Sequence, residues 1–336
     1  MRIVERARNL IESNRFADWV FGRLGSLPVY SRLIARRVEK RIEYVRRQKC
    51  YSLEIELSSV CNARCIFCPL SGMKRSKRIM DDETFQAILD RAVAEGIRPP
   101  LIDLSNVGEP LADRSLFKRI RQVKSIFPAA NVRITTNFGL ANDAIVDGIL
   151  QSGLDSIHIS VNAASAETHL KVMGLNFENT VANIRRLIER RNATNSPLHI
   201  MVSMVLCKEN AAERKRFLRD WSGRADSICL QRAVDWGGAV AVGQPYHPNR
   251  RLYPCNDLFE RIVILSNGEL ALCCQDAEGI IHTSVRERPI LEISHSRIFE
   301  TFREKHLAGQ AESLNMCKNC FAVHSNGANW LFAKFD

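Results

Sequence analysis

The chain has 336 residues, 46% of them hydrophobic, and a formal net charge of +11, which supports a substantial core and more than one domain. No stretch approaches the ~20 apolar residues needed to span a bilayer, and the first 25 residues are charged throughout with no apolar signal segment, so a cytoplasmic protein is expected. The charge is concentrated, since residues 1–50 hold 13 Lys and Arg against 5 Asp and Glu, and the 11 cysteines argue for metal or redox chemistry over a disulfide framework.

Residues 1–48 form a basic arm that reads as two or three helices. Ile3, Val4, Ala7, Leu10 and Ile11 recur at helical spacing, as do Leu33, Ile34, Val38, Ile42 and Val45, with Gly25 and Pro28 between them. The arm is expected to pack on the body with its basic face in solvent. The alternative is peripheral contact with an anionic membrane through Phe16, Trp19, Val20 and Phe21. These aromatics are bunched with aliphatics and no RNA-binding motif is present, so no nucleic-acid partner is expected.

From residue 51 the pattern becomes strand then helix, repeated. "SLEIEL" is the first strand. A helix starts at Asp81–Asp82, carries the stripe Phe85, Ile88, Leu89, Ala92 and Val93, and stops at Gly96. "LIDLSNV" is the second strand, and Asp113 starts the next helix. "NVRITT" is the third, with a helix over 142–152. "LDSIHISV" is the fourth, with a helix over 177–191. "LHIMVSMVL" is the fifth, with a helix to Trp221, and "DSICLQ" is the sixth. Six such units imply a parallel sheet, as a partial barrel or a doubly wound sheet, with function at the strands' C-terminal ends. The cysteines of "SSVCNARCIFCPL" follow the first strand there, "GEPL" the second, "TTN" the third and "VNAAS" the fourth.

Cys61, Cys65 and Cys68 stand at C-x3-C-x2-C spacing. A zinc site wants a fourth ligand, and no His or Cys lies close by in sequence. A four-iron cube held by only three thiolates keeps one iron open for another ligand, which is a catalytic arrangement. The alternatives are a zinc site closed by a distant residue, or buried thiols.

This segment resembles the radical SAM superfamily, whose signature places an aromatic before the third cysteine, as Phe67 is here. The resemblance covers roughly residues 50–245. It implies a [4Fe–4S] cluster whose open iron chelates S-adenosylmethionine and cleaves it to a 5′-deoxyadenosyl radical that abstracts hydrogen from substrate. "VGEPL" resembles the family segment that holds the amino group of S-adenosylmethionine, carried here by Gly108, Glu109 and Pro110, with Val107 in place of a glycine. Asn137, Ser160 and Asn162 sit where the family contacts the carboxylate or ribose. Met173 stands where the family usually has Arg, and Lys171 is the nearby cation.

After residue 245 the rhythm stops. "RIVILS" and "ELALCC" read as a hairpin turning at Asn267-Gly268, followed by a helix over 297–306. Cys255, Cys273 or Cys274, Cys317 and Cys320 make a four-thiolate set in which, by spacing alone, zinc and a second cluster are equally good. Residues 246–336 resemble the Twitch domain, the shortened form of the SPASM extension, which holds one auxiliary [4Fe–4S] cluster. That resemblance favours Cys273 over Cys274 and leaves no open iron.

The fold class expected is α/β, a partial (β/α)6 TIM-like barrel over 49–245 with an N-terminal helical extension and a C-terminal Twitch domain. What the resemblance implies is a radical SAM enzyme acting on a small polar sugar, cyclitol or natural product. The auxiliary cluster accepts an electron, and a flavodoxin- or ferredoxin-type protein donates the first one. Epimerisation and peptide maturation are the alternatives, and a nucleic-acid-modifying iron–sulfur protein is the alternative from another class. Cys207, at the end of the fifth strand, is the candidate hydrogen donor for an epimerase, with Cys274 a second.

Overall fold

The computed structural model describes residues 28–241, 253–320 and 323. The readings at 3–11, at Phe16, Trp19, Val20 and Phe21, and at the 245/246 boundary lie outside them. In order, the elements are α1 (Pro28–Gln48), β1 (Ser52–Ile55), α2 (Asp82–Ala94), β2 (Leu101–Asp103), α3 (Leu116–Ile126) and β3 (Asn131–Thr136). Then come α4 (Asp143–Gln151), β4 (Ser156–Ser160), α5 (Ala166–Met173), α6 (Phe177–Ala193), β5 (His199–Leu206), α7 (Arg214–Trp221) and β6 (Ser227–Arg232). The C-terminal part adds α8 (Asp257–Glu260), β7 (Arg261–Ile264), β8 (Leu270–Ala271), α9 (Ile290–Ser294) and α10 (Arg297–Leu307).

Helix starts follow capping chemistry. Asp81 accepts from the Thr84 N–H at 2.7 Å, Asn142 from Ile145 at 3.0 Å and Asn176 from Asn179 at 2.7 Å. The helix expected from Asp113 begins later. Asp113 instead accepts from the Ser115 N–H at 2.8 Å, and the helix starts at Leu116. Helix α5, not anticipated as a separate element, is capped by Ser165 and closed by Gly174 at φ 67°.

The strands form one eight-stranded sheet in the order β6-β5-β4-β3-β2-β1-β7-β8. Strands β1 to β6 are parallel and follow chain order without reversal. A doubly wound sheet requires a reversal at a switch point, so this is the partial barrel. The hairpin β7–β8 continues that sheet, with β7 parallel to β1 from Ser52↔Arg261 to Ile55↔Ile264 and β8 antiparallel to β7.

The two faces of the sheet differ. Leu53, Ile102, Val132, Ile134, Ile157, Ile159, Ile200 and Val202 are all buried and alternate with polar residues along the strands, except in β5, where the buried Met201 stands between Ile200 and Val202. The residues between them align in register as Glu54↔Asp103↔Arg133 and Thr135↔His158, with Ser160↔Ser203 one step further. A closed barrel fills its interior with branched apolar side chains. Here the inner face is polar and hydrogen-bonded, with Arg133 Nε donating to Asp103 at 2.7 Å and Arg261 bonded to Glu54. Helix α1 buries Ile34, Val38 and Val45, keeps Arg32, Arg36 and Lys40 exposed, and pairs Arg41 with Glu260 at 3.0 Å. For this half of the arm, packing on the body is what the structure shows.

Candidate functional site

The first cysteine loop leaves β1 and is tied on both sides. The Ser59 N–H donates to Arg78 O at 2.9 Å, Arg64 N–H to Met173 O at 2.8 Å and Ile66 N–H to Val172 O at 3.0 Å. Beside those ties the Cys68 N–H donates to Cys65 O at 3.1 Å, and the three thiols lie near enough to one another for their charges to interact. All three are half-buried. Burial pushes the Cys61 thiol up to about 11, and it raises Cys65 and Cys68 as well, with the neighbouring sulfurs adding to it at Cys61 and Cys65. Such thiols ionise when a bound cation replaces the lost hydration.

Gly108 is where the second loop meets the first. A Cβ at that position would lie 1.9 Å from Ser58 O, so only glycine lets the two loops touch. The contact is sealed by Glu109 N–H donating to Val60 O at 2.9 Å. The Glu109 carboxylate is buried and held by three donors: Leu111 N–H at 3.0 Å, Thr136 Oγ1 at 2.6 Å and Asn137 N–H at 2.8 Å. Burial pushes its pKa up to about 7, and the three hydrogen bonds oppose that rise. Pro110, itself buried, begins a short 3-10 turn behind it.

Asn137 joins this group, with Nδ2 donating to Asn62 Oδ1 at 2.9 Å and reaching Cys61 Sγ at 3.6 Å. Phe67 is half-buried and its carbonyl accepts from Trp236 Nε1 at 3.0 Å. Ser160 lies half-buried at the end of β4. Asn162 differs from the others. It is 1% exposed, at φ 59°, with Oδ1 accepting from Val205 N–H at 2.7 Å and Nδ2 donating to Met173 Sδ at 3.3 Å. Both ends of its amide are engaged by the chain, and it braces the β4–β5 edge. Met173 is buried, while Lys171 is exposed beside Glu209. Cys207 follows β5 half-buried, its N–H donating to Asn210 Oδ1 at 2.9 Å and its thiol meeting the Glu209 carboxylate.

The second thiol set gathers around a small apolar cavity. Cys255, Cys273, Cys317 and Cys320 line it with Leu258, Leu272, Phe302, Met316 and Val323. The turn after β8 directs Cys273 inward, because Asp276 accepts from Leu272 N–H at 2.9 Å and donates its own N–H to Cys273 O at 3.0 Å. Cys274 turns the other way, its sulfur 3.7 Å from Asp257 Oδ2. Burial raises the Cys255, Cys273 and Cys317 thiols, Cys317 to about 12. Two polar side chains share the cavity. His306 Nε2 lies 3.4 Å from Cys317 Sγ and Gln275 Nε2 3.4 Å from Cys320 Sγ. Burial pushes His306 down to about 4, so its ring is neutral.

Both sets fit iron–sulfur clusters. Their donors are thiols, and among the described residues no three His, Cys, Asp or Glu side chains converge to share one metal ion. Zinc requires its ligands within about 2.3 Å of a single point, whereas the thiolates of a cluster are spread over separate irons around a cavity. Thr136, Trp236, Gln275 and His306 were not singled out from sequence. Thr136 lies within "TTN", but the other three carry no local signal, since their partners lie 11 to 169 positions away and are reached only through the fold.

Comparison with known proteins follows the same division. A profile described as Radical SAM superfamily matches residues 55–220, and one described as an iron-sulfur cluster-binding domain, SPASM, matches residues 255–321. The chain is similar to a probable GTP 3',8-cyclase of Saccharolobus islandicus, 31% identical over 138 residues, 41% of this chain and 43% of that one. A second, from Metallosphaera sedula, is 31% identical over 169 residues, 49% of this chain and 50% of that one. The chain therefore spans about half the length of these curated relatives or less. Among solved structures, BtrN in complex with AdoMet and 2-DOIA superposes at TM-score 0.58 with 18% identity, covering 82% of this chain and 96% of that one. Streptococcus suis SuiB bound to precursor peptide SuiA gives 0.61 at 15% identity, covering 82% and 75%. The anSMEcpe structure with bound AdoMet gives 0.58 at 14% identity, covering 84% and 91%. At these identities the likeness is one of fold.

Proposed function

The chain belongs to the radical SAM superfamily and carries a C-terminal SPASM domain, and from that premise we propose that it oxidises an sp3 carbon of a small polar substrate. Cys61, Cys65 and Cys68 would hold the cluster that binds S-adenosylmethionine. Cys255, Cys273, Cys317 and Cys320 would hold one auxiliary [4Fe–4S] cluster, the Twitch form of the domain. When bound, these groups supply a hydrogen-abstracting radical and an electron acceptor.

The chain's own residues do the rest. Glu109, fixed by three donors, would accept the ammonium of S-adenosylmethionine, because a buried carboxylate is a strong acceptor for a cation. Gly108 and Pro110 set its place, Asn137 offers an amide beside it, Ser160 offers a hydroxyl at the end of β4, and the Phe67 carbonyl ties the cysteine loop to Trp236. Asn162 acts as a brace for this edge. The overall reaction removes two electrons and two protons from the substrate. The S-adenosylmethionine site would supply the acceptor for one hydrogen atom and the four-thiol site the acceptor for one electron, with one proton left to solvent. The reducing electron comes from a flavodoxin- or ferredoxin-type partner.

The observation that carries this reading is the four-thiol cavity. With four thiolates no iron is left open, so the site suits electron transfer better than substrate binding. The polar inner face of the barrel supports a polar substrate. The known neighbours do not choose among substrates, since one holds 2-DOIA and another a precursor peptide. The test is anaerobic turnover in heavy water with S-adenosylmethionine, a reductant and a panel of cyclitols, aminosugars and GTP. Product lacking two hydrogens supports oxidation. Deuterium incorporation at carbon indicates epimerisation and mass gain indicates bond formation, and either overturns the reading.

A further inference from the structure

Each thiol of the second set faces an N–H donor. The backbone N–H of Leu258 is directed at Cys255 and that of Gln275 at Cys273. The side chain of Gln275 donates through Nε2 to Cys320 Sγ at 3.4 Å. His306 completes the set at Cys317, and its tautomer is fixed by the chain. The Cys255 N–H donates to His306 Nδ1 at 3.2 Å, so that nitrogen carries no proton and Nε2 does. Nε2–H therefore donates to Cys317 Sγ, 3.4 Å away.

These are costly groups to place there. His306 is 2% exposed and Gln275 7% exposed, in a cavity otherwise apolar, and Gln275 Oε1 has no partner among the described residues. A neutral thiol is a weak acceptor and offsets little of that burial cost. A thiolate is an anion and accepts such a bond far more strongly. The donors thus fit the charged, ligating form of the sulfurs.

We propose that His306 and Gln275 are positioning residues that raise the reduction potential of the auxiliary cluster by donating N–H···S bonds to Cys317 and Cys320. The inference rests on the assignment of that cluster to these four cysteines. Reduction adds one electron, and part of the added negative charge falls on the ligating sulfurs. A donor aimed at those sulfurs stabilises the reduced state more than the oxidised one, so the potential rises. A higher potential favours transfer of one electron from a substrate radical, whose proton leaves separately. The sequence offers no hint of this, since His306 reads as one more polar residue in the last turn of α10.

The test isolates one cluster. In the full-length chain, Cys61→Ala, Cys65→Ala and Cys68→Ala together leave only the auxiliary site. Iron content and the absorption spectrum establish that the cluster is present, and an anaerobic redox titration read by electron paramagnetic resonance gives its midpoint. His306→Phe is expected to lower the midpoint by about 59 mV, a tenfold change in a one-electron equilibrium. His306→Gln keeps an N–H donor and is expected to recover part of it. Gln275→Leu, which leaves both of the backbone donors in place, is expected to act in the same direction and carries the measurement if His306→Phe loses its iron. An unchanged midpoint in both donor-free variants, with the cluster intact, overturns the inference alone. A reference chain that binds no iron overturns the cluster assignment beneath it.

Discussion

Gly108→Ala tests whether the contact between the two loops is as tight as it looks. The added methyl would lie 1.9 Å from Ser58 O, 2.6 Å from Ser58 C and 2.8 Å from Ser59 Cα. All three are backbone atoms, so no side-chain rotation relieves the overlap. The cysteine loop cannot simply move away either. Ser59 N–H is tied to Arg78 O at 2.9 Å and Met80 N–H to Leu57 O at 2.8 Å. The segment carrying residue 108 must shift instead, and the bond from Glu109 N–H to Val60 O breaks. Overpacking of this kind costs about 1–3 kcal/mol, and the lost buried hydrogen bond adds about 1 kcal/mol. At about 2 °C per kcal/mol, the lower end for large domains, Tm falls by roughly 4–8 °C. Gly72→Ala is the control, because its methyl would have one contact, Pro69 O at 3.9 Å. Thermal denaturation of the anaerobically reconstituted protein reads the difference, and calorimetry with S-adenosylmethionine reads the displaced Glu109. If Gly108→Ala melts with Gly72→Ala and binds S-adenosylmethionine as the wild type does, the steric reasoning is wrong.

Glu109 predicts a pH dependence. Its folded pKa is raised to about 7, so it is protonated below that pH and loses its hold on an ammonium. Affinity for S-adenosylmethionine in the reconstituted enzyme should fall about tenfold from pH 8 to pH 6, and Glu109→Gln should bind weakly and without that slope. The reconstituted chain should hold about eight irons and the Cys61/Cys65/Cys68 triple alanine variant about four. Cys273→Ala should lose the auxiliary cluster and Cys274→Ala should keep it, as iron analysis will show. Cys207→Ala should turn over normally to a product lacking two hydrogens, since an oxidation needs no thiol donor, and a stalled or epimeric product would restore the donor role. Arg75→Leu should destabilise the fold by about 3–5 kcal/mol, measured by denaturant titration, because it leaves Glu56 buried without the partner it holds at 2.8 Å.

Much of this protein is written locally. The strands declare themselves by alternation, and the helix starts at Asp81, Asn142 and Asn176 by side chains that reach a backbone N–H three residues ahead. Cys61, Cys65 and Cys68 lie within eight residues, so their spacing alone brings them to one loop. The tertiary structure decided what depends on distant partners. Partial barrel and doubly wound sheet share the same local pattern, and only the unreversed strand order separates them. The hairpin pairs β7 with β1 across some two hundred residues and so lengthens the barrel sheet, which no window of sequence encodes. Cys273 and Cys274 are adjacent and chemically identical; the family resemblance favours Cys273, and only the fold shows that the Asp276 turn points it into the cavity and Cys274 toward Asp257. The donors His306 and Gln275 were invisible for the same reason. A hydrogen bond is specified by position to a few tenths of an ångström, whereas a sequence pattern specifies only which face of a helix or strand a residue occupies.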